Sequence, residues 1–239
     1  MRYKVVTTKN IVNLSSSFQE SKQREQGIPR MGLLYAPTGF GKTTASAWLV
    51  NRENGIYVRA GSLWSPTTMV MAILDELSIR PPRFAAQGIQ AIVAQMKLSQ
   101  RPLFIDEADY LFYEPRMIDA ARDIHDLAEL PVWFIGSHKL EKRIAQRKIV
   151  AGRISQWVKF LPCDFEDTQR LAKELCLVEV QVDLLEQLHK AAKGSIRSIT
   201  VGLSRIEAIA RLQRWKTINA QQWGANHFFF DRQVDYQDE

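Results

Sequence analysis

Residues 31–44 read Met31-Gly32-Leu33-Leu34-Tyr35-Ala36-Pro37-Thr38-Gly39-Phe40-Gly41-Lys42-Thr43-Thr44, and three kinds of local structure follow one another within them. Met31 to Ala36 is a compact apolar run that feeds a glycine-rich loop, the mark of a buried strand. Gly39 and Gly41 let the backbone curl, so that successive N–H groups can converge on one point. From Lys42 to Val50 the pattern is helical, and a helix starting at such a loop adds its positive N-terminal end to the same point. Strand, glycine loop and helix in this order make a cradle for an anion.

Outward from this stretch, Gly55 to Arg59 reads as a second short strand. Pro66 opens a helix with Met69, Ile73, Leu74 and Leu77 on one stripe, ended by Pro81-Pro82, and a further helix spans about 85–98. Pro102 to Asp106 is a third strand, and Met117, Ala121, Ile124 and Ala128 mark an amphipathic helix. Pro131 to Gly136 is a fourth strand and Trp157 to Leu161 a fifth. Before the first strand, Ile11, Leu14 and Phe18 recur at helical spacing within residues 10–26. Strands alternating with helices predict an α/β fold with a five-stranded parallel sheet wrapped by crossover helices. After Pro162 the strand signals stop, and residues 166–177, 181–192 and 195–214 read as three helices. The expected organisation is an N-terminal helical segment (1–30), an α/β core (31–162), a small all-α lid (163–214) and a tail (215–239). The last residues of that tail, 231–239, are polar and acidic and read as disordered.

A chain of 239 residues and 27.4 kDa can bury one substantial core with a small appended subdomain. Its net charge of +6 and pI of about 9.4 suit an acidic partner such as nucleic acid, without requiring one. No apolar run approaches the eighteen or so residues of a membrane span. The N-terminus lacks the apolar stretch of a secretory leader, so a cytoplasmic protein is expected. Cys163 and Cys176 are too few for a disulfide framework and read as reduced thiols. His125, His138, His189 and His227 show no metal-ligand spacing.

Ala36 to Thr43 matches the P-loop pattern, with Ala36 in place of the first glycine. The set Pro37, Thr38, Gly39, Phe40, Gly41, Lys42, Thr43 and Thr44 would then hold ATP. Lys42 would reach the β- and γ-phosphates and the Thr43 hydroxyl would hold Mg²⁺. Leu103-Phe104-Ile105-Asp106-Glu107 resembles a Walker B strand, with Asp106 in the Mg²⁺ shell and Glu107 polarising the attacking water. Asp106 lies 64 residues after Lys42 (106 − 42), with one strand–helix unit between, which predicts a strand neighbouring the first.

With these two motifs the chain resembles an AAA+ ATPase, and the resemblance implies further site residues. Ser137, after the strand Val132 to Gly136, matches the position called sensor 1, with His138 as the alternative; Ser137 could equally cap the helix that follows. Arg153, just before the fifth strand, matches an arginine finger acting on a neighbouring subunit's nucleotide, with Arg147 and Arg143 as fallbacks. Gly194-Ser195-Ile196-Arg197 resembles the sensor 2 motif, in which Arg197 would contact phosphate. Within the AAA+ group, the run Leu33 to Thr44, the stretch Leu63-Trp64-Ser65-Pro66 and the strand end Phe134-Ile135-Gly136-Ser137 resemble the transposition regulators. These are the Mu-type phage B proteins and the TnsC-type and ExeA-like proteins. The resemblance covers about residues 10–212. It implies an ATPase that assembles, as a filament, on duplex DNA and delivers that DNA to a transposase. The chain starts almost directly at the core, without the additional DNA-binding domain of the phage protein, so DNA contacts would come from the core's surface.

Lys139, Lys142, Arg143 and Arg147 fall on one helical face beside an apolar stripe of Leu140 and Ile144, and form the candidate DNA surface. An ordinary solvated face or a subunit contact is the alternative. Arg80, Arg83 and Lys97 are further possibilities. Trp223 and Phe228-Phe229-Phe230 form an apolar cluster that would either receive a partner or pack onto its own lid. Rival readings of the whole are a helicase loader or replication initiator, a nucleotide-gated scaffold with negligible turnover, and an ExeA-like partner of envelope machinery.

Overall fold

The computed structural model describes residues 1–25 and 27–229. The chain divides into two compact units. Asn13–Ala36 with Lys42–Lys159 make the first, and Met1–Val12, Pro37–Gly41 and the chain from Phe160 onward make the second.

The first unit contains most of α1 (Lys9–Lys22), then β1 (Met31–Tyr35), α2 (Lys42–Glu53), β2 (Ile56–Arg59), α3 (Pro66–Glu76) and α4 (Ala85–Ser99). It continues through β3 (Leu103–Asp106), a 3₁₀ turn (Ala108–Tyr113), α5 (Pro115–Ala128), β4 (Val132–Gly136), α6 (His138–Gln146), α7 (Lys148–Ala151) and β5 (Ile154–Lys159). The five strands form one sheet in the order β2-β3-β4-β1-β5, parallel at every pairing. This is the expected α/β architecture. A strand start and a strand adjacency differ from expectation. β5 begins at Ile154, three residues before the apolar run that marked it, because Ile154 already pairs with Met31 across a register shift. β3 does not lie beside β1, because β4 is inserted between them.

Side chains alternate across the pleat, and each face has its own cover. Leu33, Ile105 and Phe134 face a core completed by α3, α4, α5 and α6. Leu34, Phe104 and Trp133 are also fully buried but lie outside that cluster. There Phe18 of α1 stacks on Phe104 at 5.5 Å and tilts against Trp133 at 5.8 Å. The helical spacing of Leu14 and Phe18 is therefore the spacing of a face that covers the sheet. Gly32 pairs with Trp133 in the β1–β4 register, and a Cβ at Gly32 would stand 2.2 Å from the Trp133 ring. A Gly32→Ala variant is therefore expected to lose about 1–3 kcal/mol by overpacking. Thermal unfolding followed by circular dichroism would show this as a midpoint lower by several degrees.

The second unit is built on α8 (Phe165–Leu175), β6 (Glu179–Val180), α9 (Val182–Ala192), α10 (Ile196–Leu212), β7 (Thr217–Ile218) and α11 (Ala220–Trp223). The three expected helices are present. A two-residue parallel ladder between β6 and β7 was not expected, since two residues carry no periodicity. Leu171, Leu184, Leu188, Ile199, Leu203 and Ile206 form the core, and Val6 from the N-terminal segment joins them. Asn10 exchanges two hydrogen bonds with the Leu161 backbone, at 2.8 and 3.0 Å. Trp223 is buried and stacks on Phe228 at 5.1 Å, so this aromatic cluster packs into its own unit. Phe230 and the tail 231–239 lie outside the described residues. Cys163 and Cys176 are free and buried, and burial pushes both thiols up to about 12, so neither is a nucleophile at neutral pH.

Candidate functional site

In a parallel sheet, side chains that do chemistry collect where the strands end and the loops begin. In the first unit, β1, β4 and β3 all end on the same edge, with β4 in the middle. Beyond β1 comes Lys42, the first residue of α2, whose Nζ donates to the Ala36 carbonyl at 2.7 Å. Thr43 and Thr44 follow in the first turn and are exposed. Two acids stand at the end of β3, Asp106 as its last residue and Glu107 just beyond it. Asp106 is buried, and both of its oxygens are engaged. Oδ1 accepts from the Glu107 N–H at 2.8 Å and Oδ2 from the Tyr57 hydroxyl at 2.8 Å. Burial, reinforced by that bond to Asp106, raises the Tyr57 phenol well above its ordinary value, so it stays a donor.

Glu107 adopts φ 52° and ψ 37°, a left-handed conformation that costs a non-glycine residue about 1–2 kcal/mol. Its carboxylate is partly exposed and meets Arg59, the last residue of β2, at 3.4 Å. The two neighbouring acids therefore sit in different surroundings. Asp106 is fixed and Glu107 is held out to solvent.

Beyond β4, Ser137 is tied down at both ends. Its N–H donates to Asp109 Oδ2 at 2.8 Å and its hydroxyl to Asp109 Oδ1 at 2.6 Å. The same hydroxyl oxygen accepts from the Lys139 N–H at 3.1 Å, so Ser137 does cap α6. Asp109 had no sequence signal of its own, because its role depends on a partner 28 residues away in the chain. Tyr57 was missed for the same reason.

The candidate basic face divides. Lys139 and Lys142 are exposed, whereas Arg143 and Arg147 are half-buried over the Phe112 ring, at 5.9 and 5.8 Å from its centroid. α6 ends at Gln146, so Arg147 is its cap and not part of its helical face. Arg147 also reaches Asp119 at 3.4 Å.

Arg153 stands at the opposite edge of the sheet. Its carbonyl accepts from the Met31 N–H at 3.2 Å, where β1 begins. The five residues of β1, at about 3.3 Å each, separate it from the edge that carries Lys42 and Asp106 by about 16 Å.

In the second unit, the loop residues Gly39 and Gly41 have φ of 88° and 83°, which side-chain-bearing residues rarely adopt. The Gly39 carbonyl accepts from the Arg197 N–H at 3.0 Å, and Ile196 lies 3.4 Å from where a Gly41 Cβ would stand. Ser195 caps α10 by accepting from the Ser198 N–H at 3.2 Å. The first turn of α10 therefore touches the loop, and the Arg197 side chain there is exposed.

The AAA domain family model matches residues 26–144. A search of curated proteins gives no match. Among solved structures, Cdc6p from Pyrobaculum aerophilum superposes with a TM-score of 0.65 at 15% identity, over 88% of this chain and 63% of that one. The ORC2 protein of Aeropyrum pernix in ADPNP–ADP complexes gives 0.70 at 16% identity, over 93% and 68%. The ORC1 protein of the same organism in complex with DNA gives 0.64 at 17%, over 89% and 62%. The chain thus spans 63% of the length of Cdc6p, and at these identities the likeness is one of fold. No helix among the described residues is long and apolar enough to cross a membrane.

Proposed function

We propose that this AAA-type P-loop chain is an ATPase that binds duplex DNA with little sequence preference and assembles on it head to tail. The observation that carries this reading is the placement of Lys42, Asp106, Glu107 and Ser137 on one edge of the sheet and Arg153 on the other. A protomer cannot apply Arg153 to the nucleotide on its own far edge. It can apply it to a second copy's, and a head-to-tail contact of this kind repeats into a ring or a helical filament.

The residues fit ATP and magnesium. Two positive-φ glycines shape a loop that approaches phosphate with its backbone, and Lys42 supplies the charge. The Thr43 hydroxyl and the Asp106 carboxylate are the hard oxygen donors that Mg²⁺ takes. Mg²⁺ held by these two donors would supply neutralisation of phosphate charge. Tyr57 and the Glu107 N–H hold the Asp106 carboxylate in one orientation. Glu107 orients the attacking water and accepts its proton. Ser137 would lose its bond to Asp109 if its hydroxyl turned to the γ-phosphate, so Asp109 sets the resting position of this group. Lys139 and Lys142 would meet DNA phosphates, while Arg143 and Arg147 serve first to hold the 3₁₀ turn and α5.

In its finer form, drawn from the resemblance to transposition regulators, the assembly presents target DNA to a transposase and is dismantled by hydrolysis. A helicase loader or initiator is the second reading, favoured by the Cdc6 and ORC folds. Fluorescence anisotropy of a labelled random-sequence duplex, titrated with ATP, with ADP and without nucleotide at fixed salt, tests the shared part. Cooperative binding with ATP alone, absent in Lys42→Ala, is expected, with affinity falling steeply as salt rises. Binding indifferent to nucleotide and to Lys42 would overturn the reading. Preference for single strands would favour the loader, and stimulation by a transposase the regulator.

A further inference from the structure

The guanidinium of Arg153 is not loose. Its Nε donates to Asp126 Oδ1 at 3.3 Å and its Nη2 to Asp126 Oδ2 at 3.1 Å, a two-point grip from the last turn of α5. Asp126 is held in turn by His125, whose Nδ1 lies 2.8 Å from Asp126 Oδ1. The ring's other nitrogen, Nε2, accepts from the Arg30 backbone N–H at 3.1 Å, which leaves the proton on Nδ1, pointing at the carboxylate. A backbone N–H from the strand entry, a buried imidazole, a carboxylate and an arginine thus form one chain of hydrogen bonds. The chain lines a cavity of about 310 Å³ bounded by the Gly27–Arg30 turn and Glu129.

The electrostatics agree with that order. Burial pushes the His125 imidazole below its ordinary value, outweighing the pull of Asp126, so the ring is a neutral donor. Burial alone would raise the Asp126 carboxyl, but hydrogen bonds from Arg153 and His125 hold it below the usual range. The grip uses the Nε–Nη2 side of the guanidinium and leaves the N–H groups of Nη1 without a part in it. In a chain that uses this arginine on a neighbour's phosphate, those are the donors that would be offered. A freely rotating arginine must be ordered at the moment of reaction, and one gripped along one side is ordered beforehand.

We propose that Asp126, oriented by His125, is the positioning residue of Arg153, setting the guanidinium for use on the nucleotide of a second copy of this chain. The inference rests on the trans-acting role given to Arg153 above, and the experiment separates the two. ATP turnover is measured in DNA-bound assemblies of the full chain carrying Asp126→Asn, His125→Phe or Arg153→Ala, alone and in equimolar mixtures with Glu107→Gln. Unfolding midpoints and ATP affinity are read alongside. Asp126→Asn is expected to lower turnover about tenfold with ATP affinity unchanged, since a misplaced group costs rate and not binding. Asp126→Glu is expected to recover part of that loss, and His125→Phe to show a smaller one.

The mixtures carry the decision. If Asp126 works through Arg153, its variant damages only what a protomer lends to its neighbour. Mixing with Glu107→Gln, whose Asp126 and Arg153 are intact, then raises turnover, whereas mixing with Arg153→Ala does not. A merely structural defect would not sort this way. Normal turnover in Asp126→Asn, or a defect that Glu107→Gln does not relieve, overturns the positioning role while the arginine's role stands. Should Asp126→Asn fail to fold, His125→Phe decides, its mixture with Glu107→Gln turning over above half the rate of His125→Phe alone, the value expected without relief. Normal turnover in Arg153→Ala overturns the trans-acting role and this inference with it.

Discussion

An Arg153→Ala variant is expected to hydrolyse ATP about 10³-fold more slowly than the parent chain at saturating nucleotide, because an arginine finger, the role proposed for Arg153, contributes at least that much to phosphoryl transfer. Its affinity for ATP is expected to stay near the parent's, since the side chain lies at the edge of the sheet where β1 begins and Lys42 lies where it ends. Stability should change little. Arg153 and Asp126 are both partly exposed, and exposed ion pairs contribute about 0–1 kcal/mol. The loss should be repaired by a partner that is itself inactive. In a random equimolar mixture with Glu107→Gln, about a quarter of sites join an intact Glu107 to an intact Arg153, half of the owners times half of the donors. Turnover recovering to that level would place the arginine in trans. No recovery, with an equal loss in dilute and concentrated protein, would place it in the protomer's own site.

The second large effect is expected at Glu107. Replacing it with glutamine removes the proposed proton acceptor while keeping size and polarity, so turnover should fall by about 10²–10⁴-fold. ATP binding should survive, because Lys42, Thr43 and Asp106 are untouched and glutamine can occupy the same half-exposed position. The variant should therefore accumulate in its ATP-bound form and stay on DNA longer than the parent chain. Dissociation of labelled duplex after dilution, with phosphate release measured in parallel, tests both halves. A variant that leaves DNA as fast as the parent would separate hydrolysis from disassembly. One that still turns over would move the proton acceptor elsewhere. The left-handed backbone at this position adds a further effect, since Glu107→Gly would relieve strain and remove the carboxylate together.

Much of this protein was legible along the chain because its signals are local. The run Met31 to Thr44 holds its strand, loop and helix within fourteen residues, so periodicity and glycine placement suffice to read it. The acidic pair after Leu103-Phe104-Ile105 was legible as a strand end for the same reason, as were the helices α8, α9 and α10. The resemblance to an AAA+ ATPase stood on those runs, and the AAA domain match over residues 26–144 agrees with it.

What escaped the sequence is what depends on two distant segments meeting. Strand order is one such property. That β4 separates β1 from β3, and so brings Ser137 between Lys42 and Asp106, follows from how the crossover helices pack, not from any strand's own pattern. Asp109 and Tyr57 join the candidate site only through bonds to Ser137 and Asp106, formed across 28 and 49 positions of chain. The four cations Lys139, Lys142, Arg143 and Arg147 looked equivalent on a projected helix. Packing drew two of them over Phe112, and the helix stopped before the last. Arg153 could be placed before a strand by reading alone, but its tether to Asp126 and His125 is a contact between the end of α5 and the start of β5. Local backbone preference and apolar spacing act over a few residues and are written in them. The burial that selects partners among distant residues acts only once the sheet has formed.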